Sequence, residues 1–351
     1  MRIAVGTMTG TSMDAIDAVA VEIVGHGLSM QVTFVALATQ QIEPVRQRLR
    51  ALTSGERDQG EMDAVGLELG LLTAAAIAQL GIMKIDLIAL HGQTIWHDPP
   101  ESIQLIDPTP IVDRYNCKIL TEPRLADLHL GGQGAPITPL ADWIMFRSEE
   151  KNTAVVNLGG YCNITLLPKQ GQPHDIEGFD LCCCNLVLDA IARERLQAEF
   201  DLNGCCAMRG TVDMELHEEL KTKLQQQRCS NRSLGSLDDL GAWVLERSRN
   251  LASENVLATA TSAVGSCISD TIVDVEHVLV AGGGIHNAAL LQAIGRDLIT
   301  TDAVGIPTQA REAMAMAILG VLAEDGVSIT LPQITGRSET SQVVGWTQAS
   351  P

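Results

Sequence analysis

The chain has 351 residues, 46% of them hydrophobic and 19% charged, with a formal net charge of −19. That length supports about two domains, and the acidic balance leaves no basic footprint for a nucleic acid or an anionic membrane surface. The sequence holds no run of about 18 apolar residues and opens without the apolar core of a secretory signal. Its nine cysteines lack CxxC spacing, so a cytoplasmic protein with reduced thiols is expected.

In chain order, Arg2 to Val5 and Ala18 to Ile23 read as strands around a Gly/Thr/Ser-rich turn, followed by a strand at Thr33 to Thr39. Helical periodicity covers Pro44 to Thr53 and Met62 to Leu80. Short apolar strands follow at Asp86 to Leu90 and Lys118 to Thr121, the second running into a Gly- and Pro-rich loop. Near residue 151 the pattern restarts: Thr153 to Asn157, a Gly turn, and Ile164 to Leu167 repeat the opening hairpin. Helices are expected at Leu186 to Gln197, Asp213 to Gln227, Leu237 to Ser248 and Ser253 to Ile268. His277 to Ala281 is a strand entering a Gly turn, and helices follow at Ala288 to Asp297 and Arg311 to Ala323. Alternating strands and helices give an α/β class, and the repeated hairpin suggests an internal duplication.

Five segments carry polar chemistry. Gly6 to Asp17, GTMTGTSMDAID, offers small residues, hydroxyls for phosphate oxygens, and Asp14 and Asp17 for Mg²⁺. It lacks the lysine of a P-loop and reads equally well as a polar-tipped hairpin. His91-Gly-Gln-Thr94 stands at a strand end, where open α/β sheets bind ligands; Gln93 suits a sugar, while His91 reads as a structural hydrogen-bonding residue. Asp127 to Pro136, DLHLGGQGAP, is a functional loop or a long connector. Gly178 to Asn185, GFDLCCCN, places Asp180 before a helix, as a cap or a general base. Its three adjacent cysteines fit apolar filler better than a metal site, because neighbouring side chains diverge. Val278 to Asn287 nearly matches the dinucleotide fingerprint and suits a backbone-to-nucleotide turn.

Together these segments resemble the anhydro-N-acetylmuramic acid kinase family, within the sugar kinase, chaperone and actin superfamily. The resemblance rests on GTMTGTSMDAID, HGQTIWH, DLHLGGQGAP with Pro139 and Asp142, NLGGYCNIT, GFD with Asn185, AGGGIHN with Leu290, Arg311-Glu312-Ala313 and the closing LPQITG, in the family's order. It implies a two-lobed actin-like ATPase fold of the ribonuclease H type, with duplicated mixed sheets flanked by helices and ligands in a cleft between lobes. The expected lobes are 1–130, to which 325–351 may return, and 131–324. It also implies ATP with Mg²⁺, a small amino sugar as the other partner, no nucleic acid or membrane partner, and compatibility with a homodimer. The implied reaction opens the 1,6-anhydro ring of anhydro-N-acetylmuramic acid with water and phosphorylates the freed 6-oxygen, in bacterial cell-wall recycling.

By position, the resemblance assigns Asp180 as catalytic base and Gly10, Thr11, Ser12, Met13, Asp14, Ala15, Ile16 and Asp17 to the ATP phosphates. Gly282, Gly283 and Gly284 are assigned to the nucleotide. Gln93, Asp127, Gln133, Asn157, Asn163 and Glu312 are assigned to the sugar or metal region, and Asp14 to the metal. The family usually reads Gly-Pro-Gly where this chain has Cys182 to Cys184. If those positions require positive φ, cysteine there is strained by about 1 kcal/mol, and the alternative is a catalytically impaired nucleotide- and sugar-binding homologue.

Overall fold

The computed structural model describes the chain except residues 11, 12, 56, 230–232, 236, 237, 341, 343, 350 and 351; the side chains of 44 and 229 are also outside the description. Two compact units form. Unit 1 comprises Met1–Arg147, Gly171–Glu177 and Gly305–Pro351; unit 2 comprises Ser148–Gln170 and Gly178–Val304.

In unit 1, strands β1 (Arg2–Thr9), β2 (Ala15–Val24) and β3 (Gln31–Gln41) form an antiparallel meander. Strand β4 (Leu87–Leu90) runs parallel to β1, and β7 (Lys118–Thr121) runs parallel to β4. Between them, β5 (Gln93–Asp98) and β6 (Glu101–Leu105) make a separate hairpin. In unit 2, β8 (Thr153–Leu158) pairs antiparallel with β9 (Tyr161–Leu167), and β10 (Glu177–Cys183) lies beyond β9. Strand β11 (His277–Ala281) is parallel to both β8 and β12 (Leu298–Thr300). The sheets run β13-β7-β4-β1-β2-β3 and β10-β9-β8-β11-β12, where β13 (Thr347–Gln348) pairs antiparallel with β7. Leaving β13 aside, both follow one order: third, second, first, fourth, fifth strand. The expected fold class, duplicated mixed sheets of the actin-like ATPase type flanked by helices, is present.

Helix Arg311–Glu324 packs on β1 and β4 within unit 1. It is apolar on nearly all sides, from Ala313 to Leu322, and nearly all of it is buried, as its composition requires. The approach is close enough that a Cβ on Gly6 would stand 2.0 Å from the carbonyl oxygen of Ala313; only glycine fits there. This contact places the helix in unit 1 rather than with residues 131–304, and helix Pro139–Phe146 belongs to unit 1 as well. The compact units therefore differ from the expected boundaries of 130/131 and 324/325.

Unit 2 gathers its core around helix Ser253–Thr271, whose Val256, Leu257, Val264 and Ile268 are buried. Residues 177–183, expected to lead straight into a helix, extend as β10, and helix Asn185–Leu196 begins only after Cys184. Leu181 and the three cysteines are buried, so this stretch serves as a core strand. The hairpin at 93–105 is a second element absent from the sequence expectation; its strands are only partly apolar. No described helix is long and apolar enough to cross a membrane.

Candidate active site

Strands β1, β4 and β7 are parallel, so their C-terminal ends share one edge of the unit 1 sheet. The first turn on this edge joins β1 to β2. Thr11 and Ser12 lie outside the described residues. Met13 donates its N–H to the Gly10 carbonyl at 3.1 Å and holds a left-handed φ of +52°. The side chains of Met13 and Ile16 enter the core, and Ile16 is paired in the sheet with Thr9 and Gln40. Asp14 is exposed and accepts the Ala15 N–H at 3.0 Å. Asp17 accepts from Thr39 Oγ1 at 2.7 Å and Gln309 Nε2 at 2.9 Å, while partial burial raises its pKa. Among the described residues no three of His, Cys, Asp and Glu gather into a metal cage. An exposed single carboxylate at the turn fits Mg²⁺, which keeps several waters and binds chiefly through phosphates and one or two carboxylates.

The end of β4 supplies His91 and Gln93. His91 is 1% exposed. Its Nδ1 lies 2.9 Å from the Gly92 carbonyl and therefore donates, leaving Nε2 to accept from Arg124 Nη2 at 3.2 Å. Burial, with the Arg124 charge, lowers its pKa to about 3, so the ring is neutral. Gln93 is also buried; Nε2 donates to the Thr94 carbonyl at 3.1 Å, and Oε1 has no hydrogen-bond partner. It lines a tight crevice with Thr7, Thr9, Thr73, Leu69 and Leu105, too narrow to admit a water molecule. A buried acceptor of this kind is unfavourable unless a ligand satisfies it. Glu312, in the first turn of helix Arg311–Glu324, has its carboxyl pKa raised by burial, opposed by Arg311 and Arg124.

Asp127 and Gln133 play different parts. Asp127 is fully buried: Oδ1 accepts from Thr335 Oγ1 at 2.7 Å, Oδ2 accepts the Gly134 N–H at 2.8 Å, and Arg337 Nε stands 3.6 Å away. Gln133 donates its N–H to the Thr335 carbonyl at 2.8 Å. The Gly-rich loop is thereby tied to the closing LPQITG segment. Asp127 holds that loop in shape, and its carboxylate is committed to doing so.

In unit 2 the parallel strands β8 and β11 end together. Asn157 is buried and opposite the half-buried Asn163 across the β8–β9 pair. Gly282 holds φ +86°, and a Cβ there would lie 2.9 Å from the Leu158 carbonyl carbon; a Cβ on Gly284 would lie 2.6 Å from Leu158 Cβ. A Cβ on Gly283 would meet nothing within 4 Å. Two of the three glycines are thus demanded by packing, and the middle one leaves the turn's backbone open to a ligand. Carbonyls of Gly159 and Gly160 accept N–H groups from Cys184, Asn185 and Leu186, which caps helix Asn185–Leu196.

Asp180 sits half-buried on β10, with Oδ2 accepting the Leu234 N–H at 2.8 Å. This bond fixes the carboxylate's direction, as a general base requires. The cysteines beside it point away from strain: none of Cys182 to Cys184 has positive φ, and Cys184 is at −125°. All three are fully buried among Leu181, Val187 and Ile191; burial raises the thiol pKa of Cys183 and Cys184, and that of Cys182 is raised by its hydrogen bond with Cys267 and by burial. The expected left-handed strain is absent.

The sequence reading gave no role to the Arg311–Asp142 pair or to Arg124. Arg311 is 1% and Asp142 0% exposed. Arg311 Nε donates to Asp142 Oδ1 at 2.9 Å, and Nη2 donates to Oδ2. An arginine opening an otherwise apolar helix was the available signal, since such a charge needs a buried partner.

The family model described as "Anhydro-N-acetylmuramic acid kinase" matches residues 2–348. A relative of that name from Synechococcus elongatus is 32% identical over 96% of this chain and 97% of its own length. One from Clostridioides difficile is 29% identical over 90% of each. Among solved structures, an activator of 2-hydroxyisocaproyl-CoA dehydratase from Clostridium difficile with bound ADPNP covers 92% of this chain and 95% of its own, at 14% identity and TM-score 0.47.

Proposed function

We propose a mechanism for this chain on the premise that it belongs to the anhydro-N-acetylmuramic acid kinase family and is an ATP-dependent phosphotransferase of amino-sugar metabolism. The observation that carries the reading is the family match across almost the whole chain. Asp180 takes a proton from water, and the water oxygen attacks the anomeric carbon of the anhydro-sugar. The bond from that carbon to the 6-oxygen breaks. The freed 6-oxygen then attacks the γ-phosphorus, and the bond to ADP breaks. The products are N-acetylmuramic acid 6-phosphate and ADP, which returns cell-wall sugar to use in the cytoplasm.

In this reading Gly10 to Asp17 face the phosphates through backbone N–H groups and hydroxyls. Gly282 to Gly284 give the nucleoside a flat backbone surface. Gln93, Gln133, Asn157, Asn163 and Glu312 orient the sugar, and Asp127 acts on it through the loop it holds. Asp14, with water, would hold Mg²⁺, which when bound would supply charge neutralisation at the phosphate oxygens. The impaired alternative lacks its motive, because the cysteines are unstrained core residues.

Coupled ADP release with ATP, Mg²⁺ and the anhydro-sugar tests the reading. Turnover that needs the sugar and stops with EDTA is expected. A folded protein that releases no ADP with this sugar would sink it.

A further inference from the structure

A general base works only when its oxygen is aimed at the proton it removes, and a misplacement of about 1 Å can cost about 10²-fold in rate. Asp180 stands on β10, which closes one side of the unit 2 sheet. An edge strand has a neighbour on one side only, so its outward backbone groups need partners from other elements.

Those partners form a ring of hydrogen bonds. Leu234 donates its N–H to Asp180 Oδ2 at 2.8 Å. The next residue, Gly235, is gripped at both of its backbone groups. Its N–H goes to Asp238 Oδ2 at 2.8 Å, and its carbonyl accepts the Asp238 N–H at 2.9 Å and the hydroxyl of Tyr161. Gln227 ties Asp238 back to β10: Nε2 donates to the Asp238 carbonyl at 2.7 Å, and Oε1 accepts the Cys183 N–H at 2.9 Å. The ring thus leaves β10 at Asp180 and returns to it at Cys183. Tyr161 opens β9, the strand beside β10, and fastens the ring to the sheet. Burial, then the charge of Asp238, raises the phenol's pKa, so the hydroxyl keeps its proton to donate. A donor at position 183 is essential to the ring. Cys183 supplies one, and the proline of Gly-Pro-Gly has none.

We propose that Tyr161 and Gln227 are positioning residues for the base: they hold Gly235 and Asp238 so that the Leu234 N–H fixes the direction of the Asp180 carboxylate. The proposal rests on the kinase reading above and deepens it, because it names what aims the base. Each residue acts through Asp180, so its effect belongs to turnover and not to ligand affinity, and it vanishes once the base is gone.

The test measures sugar-dependent ADP release by the full chain in a double-mutant cycle. Tyr161→Phe deletes one hydroxyl and keeps the ring packed; Gln227→Met keeps the length and removes both hydrogen bonds. Each should lower kcat about 10-fold, with KM for ATP and for the anhydro-sugar within about twofold. In the Asp180→Asn background each should change the residual kcat by less than about twofold. A merely structural role would lower it again by the full factor, and that result overturns the proposal. A kcat within twofold of the unaltered protein in a folded variant also overturns it, as does a loss expressed in KM alone. Near-normal turnover in Asp180→Asn by itself overturns the proposal and leaves the kinase assignment standing. An unaltered protein that releases no ADP with the sugar removes both together. The two variants reach Gly235 and Asp238 from different elements, so one that fails to fold leaves the other to decide.

Discussion

Strands β4 and β11 hold the same place in their two sheets, yet their C-terminal ends carry different chemistry. Beyond β4 stand His91 and Gln93, with Arg124 hydrogen-bonded to the first. Beyond β11 stand Gly282, Gly283 and Gly284, with no side chain to offer. The one edge presents directed polar side chains. The other presents backbone. A sugar has hydroxyls, an amide and an acid in fixed directions, and side chains read those. A nucleotide offers a flat base and phosphates, which backbone at a strand-to-helix turn can approach closely. The two sheets share a strand order, and the groups at their strand ends differ.

Unit 2 also offers side chains in the proposed mechanism: Asn157 and Asn163 toward the sugar, and Asp180 as the base. Asp180→Asn therefore tests the comparison most severely. Loss of a general base costs about 10²- to 10⁴-fold in turnover, while ATP binding by calorimetry should stay within a few fold. Near-normal turnover would mean that the base is elsewhere.

The next effect concerns how unit 1 holds its polar edge. Asp142→Ala leaves Arg311 buried without its carboxylate, and removing one partner of a buried pair destabilises by about 3–5 kcal/mol. Thermal melting should show this as a large fall in Tm. The double change Arg311→Met with Asp142→Leu removes both charges and should recover most of the stability. A single variant as stable as the unaltered protein would show that the pair does not hold the helix.

The amount readable in the sequence follows the same division. The positions of central strands were legible because runs such as Ile88 to Leu90 and Val278 to Ala281 are continuously apolar and bounded by Gly turns. The Gly282 turn and Asp180 were legible as motifs. Three things were not. Asp127 looks like a ligand-facing acid, and only its contact with Thr335, 208 residues away, shows that its carboxylate is used internally. Met13 and Ile16 lie in a polar-looking segment, but Ile16 faces the core on strand β2 and Met13 enters it from the turn before that strand. The assignment of helix Arg311–Glu324 to unit 1 depends on its backbone meeting Gly6, a long-range contact that no local pattern encodes.

A third effect is acid sensitivity of unit 1. His91 and His97 have folded pKa values of about 3, lowered first by burial and then by Arg124, against about 6.5 when unfolded. Between those values the unfolded chain takes up protons that the folded chain does not. Stability from this source is full above about pH 6.5 and falls as pH drops toward 3, by up to about 1.4 kcal/mol per pH unit for each histidine. Denaturant titrations at pH 7, 6 and 5 should show the decline, and His97→Gln should reduce its slope by roughly half. A pH-independent midpoint would show that these rings are charged or exposed in the folded state.

The smallest effect belongs to the cysteines of unit 2. On the sequence, Cys182 to Cys184 are strained if those positions require positive φ. Their φ values and complete burial make them packing residues instead. Cys183 also donates its N–H to Gln227 Oε1 at 2.9 Å, a bond that the proline of Gly-Pro-Gly would abolish. Installing that tripeptide should therefore lower stability without raising turnover. The gentler probe is Cys182→Ala, which deletes one buried sulfur and should cost about 1 kcal/mol, with turnover within twofold. If Cys182→Ala changed turnover tenfold at unchanged stability, the thiol would lie against the reacting sugar, and unit 2 would contribute a further side chain beside Asp180, Asn157 and Asn163.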